Sequence, residues 1–112
     1  MNAIISWWDL SRSSQTIDTL RVYLQEGSIA SWGQVQGLRL KFWISDRKTN
    51  RWGAVMLLES TTAPMPPNRA SELIGYPPTE RMCADIEAII EGVNTEEQDD
   101  HGRAFASIDE SS

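Results

Sequence analysis

A chain of 112 residues, 40% of them hydrophobic, is enough for one domain around one core. A net charge of −6 argues against a phosphate backbone as partner, and no apolar run approaches the roughly 20 residues that span a bilayer. Neither nucleic acid nor a membrane is therefore an expected partner. The opening MNAIISWWDL has no basic start and no long apolar run behind it, so no signal peptide is expected and the cytoplasm is the default location. The lone Cys83 excludes an intrachain disulfide and a cysteine metal site.

Residues 3–10 read as a strand, ended by Ser11, Arg12, Ser13 and Ser14. Serines are helix-start residues, and Asp18 falls in the first turn, where a negative charge is favoured. Ile17, Leu20 and Leu24, flanked by Val22 and Tyr23, give the helix an apolar face. Gly27 ends or loosens it, and residues 29–35, with Trp32, are expected to add a second helical piece before Gly37 resets the chain.

Residues 38–45 alternate: Leu38, Leu40, Phe42 and Ile44 face one way, Arg39, Lys41, Trp43 and Ser45 the other. Residues 46–50 are polar and turn-forming, and residues 52–60 make the next strand, so the pair predicts an antiparallel hairpin. All five prolines fall between Pro64 and Pro78; Asn68 is a good helix N-cap and Gly75 closes a helix of barely two turns.

Residues 80–93 fit two patterns. Met82, Ile86, Ile89, Ile90 and Val93 make a helical stripe, while Ala84, Ile86, Ala88 and Ile90 alternate as a strand would. After Asn94 the acidic sequence has little to bury, and residues 94–112 are expected to be a mostly disordered tail on a domain formed by residues 1–93. His101, in that tail, reads as a solvated residue.

The strands carry too much apolar surface for a sheet with one wet face. Val55 and Leu57 lie on one side of the third strand and Ala54, Met56 and Leu58 on the other; in the first strand Ile4 and Trp8 oppose Ala3, Ile5 and Trp7. Both faces need cover, and the chain has helices for one. The simplest cover for the second is another copy, so a homodimer is expected.

At GLRLKFWISDRKTNRWGAVMLLES, residues 37–60, the chain resembles the YdhR-like mono-oxygenases of the dimeric α+β barrel superfamily. A Gly opens the second strand, Lys41-Phe42-Trp43 forms its core, and Gly53-Ala54-Val55 starts the next strand after a polar hairpin. The resemblance implies an α+β protein of ferredoxin-like β-α-β-β-α-β order, with an antiparallel sheet paired face to face in a dimeric α+β barrel. It also implies that residues 82–93 are the fourth strand, and that a ligand cavity lies between sheet and helices. Several members of the superfamily oxidise or rearrange aromatic polyketides without metal or flavin. This chain departs from the better-studied enzymes in having no His before the tail.

No phosphate loop, metal cluster or nucleophile elbow is present, so no cofactor and no metal is expected. Cys83, on a strand, reads as a small buried filler. Lys41 and Trp43 share a strand face, about 7 Å apart, and Asp9 and Glu59 end the first and third strands. A lysine in the middle of a covered strand must reach a carboxylate, a ligand or water. With a shifted pKa it can serve as acid or base; alternatively it snorkels to the rim or pairs with Glu59 across the subunit interface.

The first functional reading is a cofactor-independent tailoring enzyme for an aromatic or polyketide-like molecule: a mono-oxygenase-like enzyme, a cyclase or an isomerase. Lys41 and Glu59 would be its catalytic residues, Trp8 and Trp43 would hold the rings, and Tyr76 and Arg81, with Arg69, would either gate the cavity or simply decorate the surface. The second is a non-catalytic dimeric module that binds a hydrophobic small molecule or a partner protein. In that reading the five tryptophans fill core and interface.

Overall fold

Strands and helices follow the order β1 (Asn2–Asp9), α1 (Ile17–Gln25), β2 (Leu38–Asp46), β3 (Arg51–Leu58), α2 (Arg69–Ile74) and β4 (Glu80–Asp85) in a computed structural model. It describes residues 1–26, 32–33, 35–59 and 69–93. The acidic tail, the proline-rich stretch up to Asn68 and most of the helical piece expected at residues 29–35 lie outside these. The sheet order is β2-β3-β1-β4, and every neighbouring pair is antiparallel. β1 and β2 therefore run parallel with β3 between them, and β3 and β4 run parallel with β1 between them. Two crossed strand-helix-strand units result, an α+β architecture compatible with a ferredoxin-like fold. No helix among the described residues is long and apolar enough to cross a membrane.

The helix start sits later than the serines predict. Thr16 and Thr19 make a reciprocal capping box, the Thr16 hydroxyl accepting from Thr19 N–H at 3.1 Å and the Thr19 hydroxyl from Thr16 N–H at 2.8 Å. Ser11 and Arg12 instead belong to a single 3-10 turn, Leu10–Arg12, capped by the Asp9 carboxylate. The Ser13 hydroxyl donates across the chain to Ile74 O at 2.8 Å. In the hairpin, Asp46 accepts from Lys48 N–H at 3.1 Å, and Asn50 takes the left-handed conformation at φ +55° that closes the turn. Gly37, at φ +87°, bends the chain into β2 in a conformation costly for a side chain, and its carbonyl accepts from Glu59 N–H at 2.8 Å.

The register sorts the side chains into two faces. Trp8 lies opposite Trp52, Ser6 opposite Ala54 and Ile4 opposite Met56. Trp8, Leu10, Ile17, Leu20, Trp52 and Ile74 form the core beneath the two helices, with Leu24, Trp43, Ala70, Leu73 and Tyr76 packed against it. The opposite face presents Ala3, Ile5 and Trp7 from β1, Val55 and Leu57 from β3, Leu40, Phe42 and Ile44 from β2, and Met82 and Ala84 from β4. Among the described residues no helix covers it, and Leu40, Phe42 and Met82 are 52%, 42% and 58% exposed. The two-sided apolar pattern thus corresponds, in the described residues, to one helix-covered face and one bare face.

The last strand departs from expectation. It begins at Glu80 and ends at Asp85, rather than spanning residues 82–93. Its hydrogen-bonded neighbour is β1, matched from Trp7 opposite Glu80 to Asn2 opposite Asp85, and the ladder finishes with Ile86 N–H donating to Met1 O at 2.9 Å. Alternation continues through Ala88 and Ile90, but no described residue pairs with it there, and Ile90 and Val93 are 95% and 93% exposed. Cys83 is also exposed rather than a buried filler. It sits on this edge strand, all six of whose residues are exposed.

Candidate functional site

On the helix-side face of β2, Lys41 lies opposite Met56 and Trp43 opposite Ala54. The Lys41 Nζ sits 3.0 Å from the centre of the Trp32 ring and 5.0 Å from that of Trp43. The amine is thus held between two indoles over an apolar floor. Ammonium over an indole face is an attractive arrangement, worth about 0.5–2 kcal/mol depending on how dry the contact is.

Burial works against the charge. It pushes the Lys41 pKa from 10.5 down to about 7, because a desolvated ammonium loses the water that stabilised it. The ion pairs among the described residues are Arg39 with Glu59, Arg47 with Asp18, Arg51 with Asp46 and Arg69 with Glu72. None includes Lys41. An amine that titrates near neutrality can accept a proton from a substrate, and in its charged form can stabilise an oxyanion.

The other expected site residues are placed unevenly around this amine. Glu59 follows β3 and turns its carboxylate to Arg39, 3.4 Å away and well exposed. Trp8 is 2% exposed, deep in the core, and its indole N–H donates to Tyr76 O at 3.1 Å. Tyr76 donates its hydroxyl to Asp9 O, while the Arg12 guanidinium lies 5.1 Å over its ring. Thr79 completes this clasp: its N–H donates to Trp7 O at 2.8 Å and its hydroxyl accepts from Asp9 N–H at 3.1 Å. Tyr76 and Trp8 therefore fasten the end of β1 to the segment before β4.

Asp9 is engaged locally. The hydrogen bond from Ser11 N–H holds its carboxyl below the ordinary aspartate value, helped by Arg12 and Arg51. Arg81 stands on β4, exposed and opposite Ser6. β4 and β2 are opposite edges of the sheet, so three strand spacings, about 14 Å, separate its backbone from that of Lys41. Arg69 donates to the Tyr23 hydroxyl at 3.2 Å and pairs with Glu72 at the start of α2.

Lys41 and Trp43 thus come together as the strand period predicts. Trp32 is the member that sequence reasoning did not assign to the site. It lies in the connection between α1 and β2, its carbonyl accepting from Val35 N–H at 3.2 Å, and no periodicity carries a loop residue onto a strand. The nearest available signal was a lone tryptophan just ahead of a strand that bears a lysine. No protein-family model matches this chain, and no curated protein is significantly similar to it.

Proposed function

We propose that the chain is a small dimeric enzyme that transforms an aromatic or polyketide-like molecule without a resident cofactor, with Lys41 as its working acid–base group. The observation that carries this reading is the Lys41 amine held between Trp32 and Trp43, with its pKa lowered by burial to about 7. Trp43 and Trp32 offer flat π surfaces to a planar substrate. The neutral amine withdraws an acidic proton from the ring system, and the stabilised carbanion that results can react directly with oxygen, cyclise or reprotonate elsewhere. None of these outcomes requires a metal or flavin to begin. Glu59, Trp8, Tyr76 and Arg81 take a lesser part in this reading, since their bonds and positions draw them to other elements.

The dimer belongs to the same proposal. The bare sheet face is about 19 Å wide and 20–30 Å long from strand spacing and rise, roughly 400–500 Å² in projection. That lies at the upper end of apolar patches on monomers, and a flat apolar sheet is complementary to its own copy across a two-fold axis. The same face also favours the alternative of a non-catalytic dimeric binding module.

A titration of tryptophan fluorescence with 2-naphthol separates the possibilities. Saturable quenching that Lys41→Met weakens at least ten-fold supports the site, and turnover of an acidic aromatic substrate under air assigns it to an enzyme. Quenching that does not saturate removes the small-molecule reading.

A further inference from the structure

We propose that Lys41 is a covalent carbonyl-capturing residue, and that the substrates of this site are aromatic aldehydes or ketones. The proposal rests on the reading above only in taking Lys41 as the working group; what it adds is a bond to the substrate.

Three observations lead there. First, no ion pair among the described residues includes Lys41. Second, the amine sits over Trp32 and beside Trp43, with Met56 as its cross-strand neighbour. Such a dry cage favours the neutral form, whose lone pair is the nucleophile. Third, the same two rings attract a cation at the nitrogen. Condensation with a carbonyl generates an iminium at that atom, and an aryl iminium is flat as well as charged. The cage therefore suits the product of the condensation better than the neutral amine that starts it.

The step balances without an oxidant or reductant. The Nζ lone pair forms a bond to the carbonyl carbon while the carbonyl π pair moves to oxygen. A proton passes from nitrogen to that oxygen to give a carbinolamine. The nitrogen lone pair then expels the hydroxyl, protonated, as water, leaving the iminium. The iminium draws electrons from the adjoining carbon, so a C–H there becomes acidic, or a bond there becomes breakable. Hydrolysis reverses the sequence and frees the amine.

The chain contains two lysines, Lys41 and Lys48, and Lys48 lies exposed in the hairpin turn. It is an internal reference for an ordinary amine. The full-length protein is incubated at pH 7 with 2-naphthaldehyde and sodium cyanoborohydride, which reduces an iminium to a stable secondary amine. Peptide mapping then gives the labelling rate at Lys41, Lys48 and the amino terminus. An ordinary lysine is neutral about once in 2,500 molecules at this pH, so Lys41 is expected to react at least ten-fold faster than Lys48.

Trp43→Leu should reduce that preference, and Lys48→Arg should leave Lys41 labelling unchanged. Equal or slower labelling of Lys41 in the folded protein overturns the proposal. The two readings fail separately. If 2-naphthol quenches saturably while Lys41 is not labelled, the covalent step is wrong and the pocket stands. Labelling of Lys41 without saturable quenching would keep the reactive amine and remove the planar-ligand site.

Discussion

Lys41 holds its proton more weakly in the folded protein than in the unfolded chain, and the sign of that difference is measurable. Its folded pKa is about 7 against an ordinary 10.5. Below pH 7 both states carry the proton, and the folded state bears the full cost of a buried charge. Between pH 7 and 10.5 the unfolded chain binds more protons, so this group makes stability rise with pH across that window. The slope cannot exceed about 1.4 kcal/mol per pH unit, and the indole contacts and remaining solvent make it smaller. Lys41→Met removes the charge and keeps the stem. The variant is expected to match or exceed the wild type in melting temperature at pH 6, and to lose ground to it by pH 9. A drop of many degrees at both pH values would reveal a stranded carboxylate partner instead.

Gly53 leaves no room for a side chain. A Cβ there would lie 2.8 Å from Ser6 O, 2.9 Å from the Trp7 ring and 3.0 Å from Ile44. Trp7 lies opposite this glycine on the bare face, and the Arg51 guanidinium stands 4.5 Å over its ring. Gly53→Ala should therefore cost about 1–3 kcal/mol, the range for overpacking, as read from urea denaturation.

Among the elements, those with a strong period were legible and those set by a partner were not. The alternation of Leu40, Phe42 and Ile44 against Lys41, Trp43 and Ser45 placed the two faces of β2 as observed. Leu38, expected to side with Leu40, instead lies opposite Leu58 on the helix side, because the register shifts between Leu38 and Leu40. The extent of β4 was invisible. Alternation runs on to Ile90, yet strand structure needs a neighbour's backbone, and the pairing stops at Met1. The α1 cap shows a different difficulty. Ser13, Ser14 and Thr16 are all competent caps, and the choice fell to Thr16 because Ser13 is drawn to Ile74 O on α2, 61 residues away. Thr16→Ala should lower stability by about 1 kcal/mol, whereas Ser14→Ala should change it little. Chemical denaturation of the two variants makes the comparison. For the site, the Lys41–Trp43 pair could be read from spacing, while Trp32 could not, since its approach depends on the path of a loop.

The described residues are asymmetric across the sheet, with α1 and α2 on one side. A single charge on the bare face should therefore have an effect out of proportion to its place. Phe42→Glu puts a carboxylate among Leu40, Ile44 and Val55, opposite the residue with which Phe42 is paired. If two copies meet there, light scattering at micromolar concentration will change from a dimer mass to a monomer mass, with the helical signal in circular dichroism retained. A wild-type monomer mass under the same conditions would rule out the sheet-to-sheet dimer.

The central position of β1 has a consequence for how the protein is made. Its residues pair with those of β3, 42–56 positions later, and of β4, 73–83 positions later. Within this sheet, the strand synthesised first is thus the one that both β3 and β4 must clasp. At about 5–20 residues per second, Asn2–Asp9 waits on the order of 4–15 s for Glu80–Asp85 to be synthesised. Until Glu80–Asp85 is made, β1 can be paired on its β3 side alone, and its other edge stays open. Such long-range pairing slows folding, and it leaves the β4-facing edge of β1 exposed to association while synthesis continues.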